Sequence, residues 1–328
     1  MATRPRRSRR SRPLNAAVAH GSRAEAKYRK RALAPGVAPS PGEDLRYRGG
    51  RLLDDLTFTN FYLGGSGAWK PSDIASIDGA LAAALRDRGL ENVMCQYFRT
   101  RPRCRFSPSH VLPGTLEGRF SNADATATIQ HLHAMGALAG YDLASTVFDL
   151  MLPSGIVLTD GSTPGHVRNA RASRRYTRAE ESDSLNGLGG YHGSVPIGSR
   201  SIYYAVGAYS EVLPGGRENG IVAFGQPWKN VVATFYHELN EARTDPDVDA
   251  ADRGGPASLL GWVSKDGNEV GDYPIFEARS LSLVFQEVAR ADGKGKVPVQ
   301  LMYSNGVHGP EGPRGTAYPP FAGFAAAR

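Results

Sequence analysis

Two cysteines in 328 residues are too few for a disulfide scaffold or a Cys-rich zinc site. Cys95 and Cys104 could bridge a short loop in an exported chain, but buried thiols are the simpler expectation. No window of about eighteen uncharged apolar residues occurs, which excludes a membrane-spanning helix on hydropathy. Other chemistries are missing too. Ser194, Ser199 and Ser201 sit in no Gly-x-Ser-x-Gly elbow. Gly187-Leu188-Gly189-Gly190 lacks the Lys-Ser/Thr that completes a phosphate loop.

Glycine (39) and proline (22), by contrast, are abundant, pointing to many turns and long ordered loops rather than a helical bundle. The net charge of +7 is misleading. Nine Arg and two Lys against the single acid Glu25 give residues 1–32 a net +10, so the remainder, with 28 basic and 31 acidic side chains, is near −3. Such a tail cannot bury enough apolar surface to fold alone. Its run Arg4-Pro5-Arg6-Arg7-Ser8-Arg9-Arg10 could touch polyanions by counterion release, but it has no base-reading or stacking residues, so no specific nucleic-acid partner is expected. Paired arginines also occur in export signals. The apolar stretch 14–19 is only six residues and contains Asn15, too short for an h-region, so no signal peptide is recognisable.

The expected fold is α/β (or α+β): a basic tail and Pro/Gly linker over 1–49, then a single globular domain over 50–328. Strands are expected at 56–63, 93–98 and 146–152. Helices are expected from Ser72 to a stop at Gly89 and over 122–135. That alternation predicts a mixed, largely parallel N-terminal sheet. Beyond it, 201–209 and 220–224 read as strands and 231–243 as an active-site-type helix. A hairpin over 281–288 and 296–303 is expected around Asp292-Gly293, with helix as the alternative for 281–288.

That helix carries the sharpest motif, His237-Glu238-Leu239-Asn240-Glu241, ended by Pro246. Val231, Val232, Phe235 and Leu239 form its apolar stripe. His237 and Glu241, four apart, project from one face and could share a divalent cation. Glu238 lies on the adjoining face, where a metallohydrolase keeps its general base. A surface His–Glu pair is the plain alternative. Asn268-Glu269-Val270-Gly271-Asp272 offers two further carboxylates, and Glu241, Asp245, Asp247, Asp249 and Asp252 crowd the helix end, where a solvated acidic loop is the competing reading. His192, among glycines in a loop, could ligate a metal, or either it or Tyr191 could steady an oxyanion. His308 is a weaker candidate. His131 and His133 point apart on their helix.

Locally, His237-Glu238-Leu239…Ala242…Thr244-Asp245 with Asn268-Glu269…Asp272 resembles the zinc helix and third-ligand segment of thermolysin-like gluzincins. That likeness implies His237 and Glu269 as ligands, Glu238 as base and Asp272 as support for a ligating histidine. Glu241 stands where the family has its second histidine, making the site harder, so Ca²⁺ or Mn²⁺ competes with Zn²⁺. More broadly, the chain resembles the EXORDIUM/phosphate-induced group through an ordered series: Tyr47-Arg48-Gly49-Gly50, Tyr62 to Trp69, Gln96-Tyr97, Gly190-Tyr191-His192-Gly193, His237 to Pro246, Gly261-Trp262, Asn268 to Asp272 and Ser304-Asn305. This likeness spans roughly residues 47 to 308 and implies an extracellular setting, although Tyr273 replaces the family's usual cysteine.

The expected function is therefore a metal-dependent, metallopeptidase-like hydrolase acting on a peptide or cell-wall-type substrate. Glu238 and His192 are the expected catalytic residues. His237, Glu241, Glu269, Asp272 and Asp245 are the expected ligands of Zn²⁺ or Ca²⁺. The alternative is a non-enzymatic secreted or surface-associated protein whose acidic cluster binds a structural Ca²⁺ or no metal.

Overall fold

The computed structural model describes residues 34, 36–161, 182–249 and 254–323; the basic tail and Asp252 lie outside them. The central sheet runs in the order β2 (Arg103–Phe106), β1 (Asp55–Tyr62), β3 (Thr146–Met151), β5 (Arg200–Gly207) and β4 (Gly190–Ile197). Every pairing is parallel except the β4–β5 edge hairpin, where Gly198, at φ +61°, supplies the positive φ of a tight turn. All six residues of β3 are buried, as expected of a parallel strand covered on both faces. The fold is α/β with a mixed, mostly parallel sheet, as the strand–helix alternation implied.

One face of the sheet packs on α3 (Asn122–Ala134), entered through a capping box between Ser121 and Asp124. Phe61, Phe148, Leu150, Val206, Ile129 and Leu132 form the core there. The other face carries α1 (Pro71–Leu85) and α4 (Pro227–Thr244), with a hairpin of β6 (Phe285–Ala289) and β7 (Lys296–Gln300) behind them. Proline opens α4, where a missing N–H costs nothing. The helix is buried from Asn230 to Thr244, so the His–Glu pair is no surface feature. No helix among the described residues is long and apolar enough to cross a membrane.

Four local expectations change. Residues 93–98 are helical, in α2 (Arg88–Met94) and a following 3-10 turn, rather than a strand. Leu90, Val93, Met94 and Tyr97 are buried at helical spacing. Asp87 caps α2 by accepting the Gly89 and Leu90 N–H groups, so Gly89 lies inside a helix and stops none. Residues 220–224 form no strand; Asn230 bonds the end of this segment instead, accepting from Ala223 and Phe224 and donating to the Phe224 carbonyl. The 33–49 linker is packed over its described part. Val37 and Leu45 are buried, Arg46–Tyr47 pairs with Trp262–Val263, and Asn305 brackets Leu45 from both sides. Cys95 and Cys104 are unbridged and buried.

Candidate metal centre

Register places four residues in one row across the face beneath α4: Asn60 opposite Asp149, Asp149 opposite Ala205, and Ala205 opposite His192. Alternation in β4 therefore turns His192 toward α4. It also turns Tyr191 to the opposite face, where its hydroxyl donates to the Thr159 carbonyl. Tyr191 is thus no oxyanion donor at this site, and His192 lies on a strand, not in a loop. His192 is 3% exposed.

From above, α4 lowers His237, Glu238 and Glu241 onto His192. His237 Nε2 lies 3.1 Å from Glu241 Oε2 and 3.9 Å from Glu238 Oε1. His192 Nδ1 lies 3.5 Å from Glu238 Oε2 and 3.8 Å from Glu241 Oε2. The third wall is the 268–272 loop, leading into α5 (Asp272–Glu277). There the Gly271 N–H donates to Glu241 Oε1 and the Glu269 N–H to Asp272 Oδ2. A Cβ at Gly271 would overlap the His237 ring, so only glycine lets this loop close on the helix.

Both imidazoles are oriented from outside. Gln300, at the end of β7, donates its Nε2 to the Gly271 carbonyl, which fixes the amide so that Oε1 accepts from His237 Nδ1 at 2.7 Å. The Asp245 carbonyl, which can only accept, holds His192 Nε2 at 3.2 Å. Each ring thus carries its proton on the outer nitrogen and aims the inner one at the Glu238 and Glu241 carboxylates. Facing those carboxylates, the inner nitrogen must either carry a second proton, which makes the ring a cation, or give up that proton in favour of a bound metal ion. Outer-nitrogen support by an amide or a carbonyl is the habit of metal-ligating histidines.

The electrostatics register the same crowding. Burial opposes charge on His237, but Glu241 and Glu238 hold its pKa up at about 10. Burial likewise opposes charge on His192, and Glu238 and Glu241 still raise it. Burial and the Glu241 charge lift Asp272 to about 7. Burial, reinforced by Glu241, Asp245 and Asp272, pushes Glu269 well above the usual carboxylate range. Only Glu241 is lowered; burial pushes it up, but His237 beside it outweighs that.

The buried His192, Glu238 and Glu241 could hold a metal ion, as could His237, Glu241 and Asp272. The two residues expected to be catalytic, His192 and Glu238, thus stand among ligand-competent groups. Glu269 and Asp245 lie outside both. Glu269 Oε1 is 3.4 Å from His192 Nε2. Asp245 caps the loop by accepting the Gly261 N–H, and burial, partly offset by that bond, raises it to about 7. Asp249 is buried while Asp247 is half-exposed, so the described part of the acidic segment is not a solvated loop. His308 pairs with Asp44 instead.

Gln300 and Asp149 were not picked out from the sequence, and Gly271 stood there only as part of the Asn268–Asp272 run. Asp149 has one visible signal, an acid inside the apolar run Thr146-Val147-Phe148-Asp149-Leu150-Met151. Compared with family models, curated proteins and solved structures, the chain matches none.

Proposed function

We propose that this chain is a metal-dependent hydrolase whose centre is formed by His192, Glu238, Glu241, His237 and Asp272. The observation that carries the reading is the paired orientation of the two imidazoles, each held by a neutral acceptor outside and facing carboxylates inside. Two nitrogen donors favour a transition ion such as Zn²⁺ or Mn²⁺ over Ca²⁺, which takes oxygen ligands. Such an ion supplies an acidified water and polarises a carbonyl or phosphoryl oxygen.

Hydrolysis, rather than simple cross-linking of loops, is favoured by the acid left over. Glu269 is buried, has an oxygen without a hydrogen-bond partner among the described residues, and is held toward its protonated form by its neighbours. A carboxyl placed beside the centre but outside both ligand groups is free to carry a proton to or from the reacting atoms. Asp272, the least buried of the five residues, marks the side from which substrate would enter. The partial gluzincin likeness points toward peptide bonds, with Glu238 moved from base to ligand and Asp272 from support to ligand.

A second reading has its own observation. His192, Glu238 and Glu241 are each 3% exposed, as befits an ion that merely ties β4, α4 and the 268–272 loop together. A hydrolysis panel separates the two, using peptide, ester and phosphoester substrates with metal-replete, chelated and Glu269→Gln protein. The hydrolase reading expects turnover that chelation abolishes, add-back restores and Glu269→Gln lowers about 10²–10⁴-fold. Full metal occupancy with no turnover on any substrate class would overturn it in favour of the structural ion.

A further inference from the structure

Resting on the metal-dependent reading above, we propose that the centre holds two divalent ions side by side, with Glu241 Oε2 shared between them. The first ground is that the two imidazoles do not meet. The ligand-competent groups are His192, Glu238 and Glu241 on one side and His237, Glu241 and Asp272 on the other, each with donor atoms within 4.8 Å of one another. No such group among the described residues contains both histidines. One tetrahedral ion with ligand bonds of about 2.0–2.2 Å would require its donors to be mutual neighbours. Two positions with one common ligand fit the arrangement as it stands.

The common ligand is prepared for that role. Glu241 Oε1 is occupied by the Gly271 N–H at 3.0 Å. Oε2 is left as the atom both rings approach, His237 Nε2 at 3.1 Å and His192 Nδ1 at 3.8 Å. An oxygen within 4 Å of an inward-facing nitrogen from each histidine is suited to bridge a two-metal centre with ions roughly 3.5–4 Å apart.

Charge gives the second ground. The ligand carboxylates Glu238, Glu241 and Asp272 outweigh a single divalent ion, so one ion would leave a buried net negative charge. Two ions reverse the sign and leave a single positive charge, suited to an anionic oxygen of a substrate. Glu269 adds a buried polar atom left unsatisfied beside these groups. It is 8% exposed, and its Oε1, lying beside His192, has no hydrogen-bond partner among the described residues. One imidazole plus carboxylates at each position suits Mn²⁺, Fe²⁺, Co²⁺ or Zn²⁺.

The test loads the chelated full-length chain with Mn²⁺, counts bound manganese by mass spectrometry and records its electron paramagnetic resonance spectrum. Two equivalents with a spin-coupled signal are expected from the wild type. His192→Ala and His237→Ala should each keep one equivalent and lose the coupling. One equivalent in the wild type, abolished by either substitution, would overturn the pair, as would two equivalents without coupling. The wild-type count and spectrum decide the matter even if a variant folds poorly. A coupled pair without hydrolysis would leave the pair standing and remove the hydrolase reading, and chelator-sensitive hydrolysis with one bound ion would do the reverse.

Discussion

The two faces of the central sheet are built from the same strands and solve opposite problems. Toward α3, Phe61, Phe148, Leu150 and Val206 close an apolar core. Toward α4, the next residues along those strands form the row Asn60, Asp149, Ala205 and His192, all 3% exposed or less. Neighbours in sequence thus lie in different chemical worlds. Burying so many ionisable groups opposes folding unless each is paired, protonated or bound to a cation. The apolar face stabilises the domain. Toward α4 the polar row is set among apolar residues as well, Phe58, Tyr62, Val147, Met151, Phe235 and Leu239, and is tolerated by them, which is where a functional site is expected.

Adjacent residues on β3 give the strongest way to break that contrast. Phe148→Ala empties space in the α3-side core and should cost about 3–5 kcal/mol by chemical denaturation, with or without metal. A loss below about 1 kcal/mol would mean that the α3-side core is not tightly packed around Phe148. Next in size, Gln300→Leu removes the acceptor that orients His237 and should weaken metal binding roughly 10–100-fold, read by competition against a chromogenic chelator. Unchanged affinity would remove Gln300 from the centre.

The fold was legible where local chemistry and tertiary context agree. The strands at Asp55–Tyr62 and Thr146–Met151 and the helices at Asn122–Ala134 and Pro227–Thr244 carry their periodicity and caps in their own residues. Residues 93–98 did not yield to the same reading, because a short apolar run fits either period and the deciding cap, Asp87, lies six residues earlier. The helix half of the site, His237 to Glu241, was visible as a spacing. The rest came from long-range pairing. Only the β4–β5 register puts His192 under Glu238, and only the β6–β7 hairpin brings Gln300 to His237 across a sequence separation of 63. Sequence spacing on one helix carries no information about either.

A smaller effect, of opposite sign to Phe148→Ala, is expected one residue along. Neither oxygen of Asp149 has a hydrogen-bond partner among the described residues, and burial, helped by the Glu238 charge, raises its pKa well above the usual range. Asp149→Val should stabilise the metal-free protein by about 1–3 kcal/mol. A destabilisation instead would show that the carboxyl is a needed part of the polar row.

The smallest expected effect is in pH dependence. Asp272 and Asp245, each raised to about 7, Glu269, raised well above the usual carboxylate range, and His237, raised to about 10, all bind protons more tightly in the folded metal-free chain than when unfolded. Stability supplied by the raised carboxyls is lost as pH rises from about 4 through 7, and that from His237 as pH rises from about 6.5 through 10. The lowered Glu241 acts oppositely, but only below its ordinary value of 4.5. Metal-free protein should therefore melt roughly a few degrees lower at pH 8 than at pH 5.5. Bound metal, which competes with those same protons, should reverse the trend. Parallel pH profiles with and without metal would contradict the assignment.

Metal content tests the central claim most directly. Untagged protein, purified without chelator and analysed by inductively coupled plasma mass spectrometry beside its Glu241→Gln variant, is expected to carry a stoichiometric transition metal that the variant loses. Metal-free wild type that also binds no added Mn²⁺ or Zn²⁺, or a variant that retains full occupancy, would contradict it.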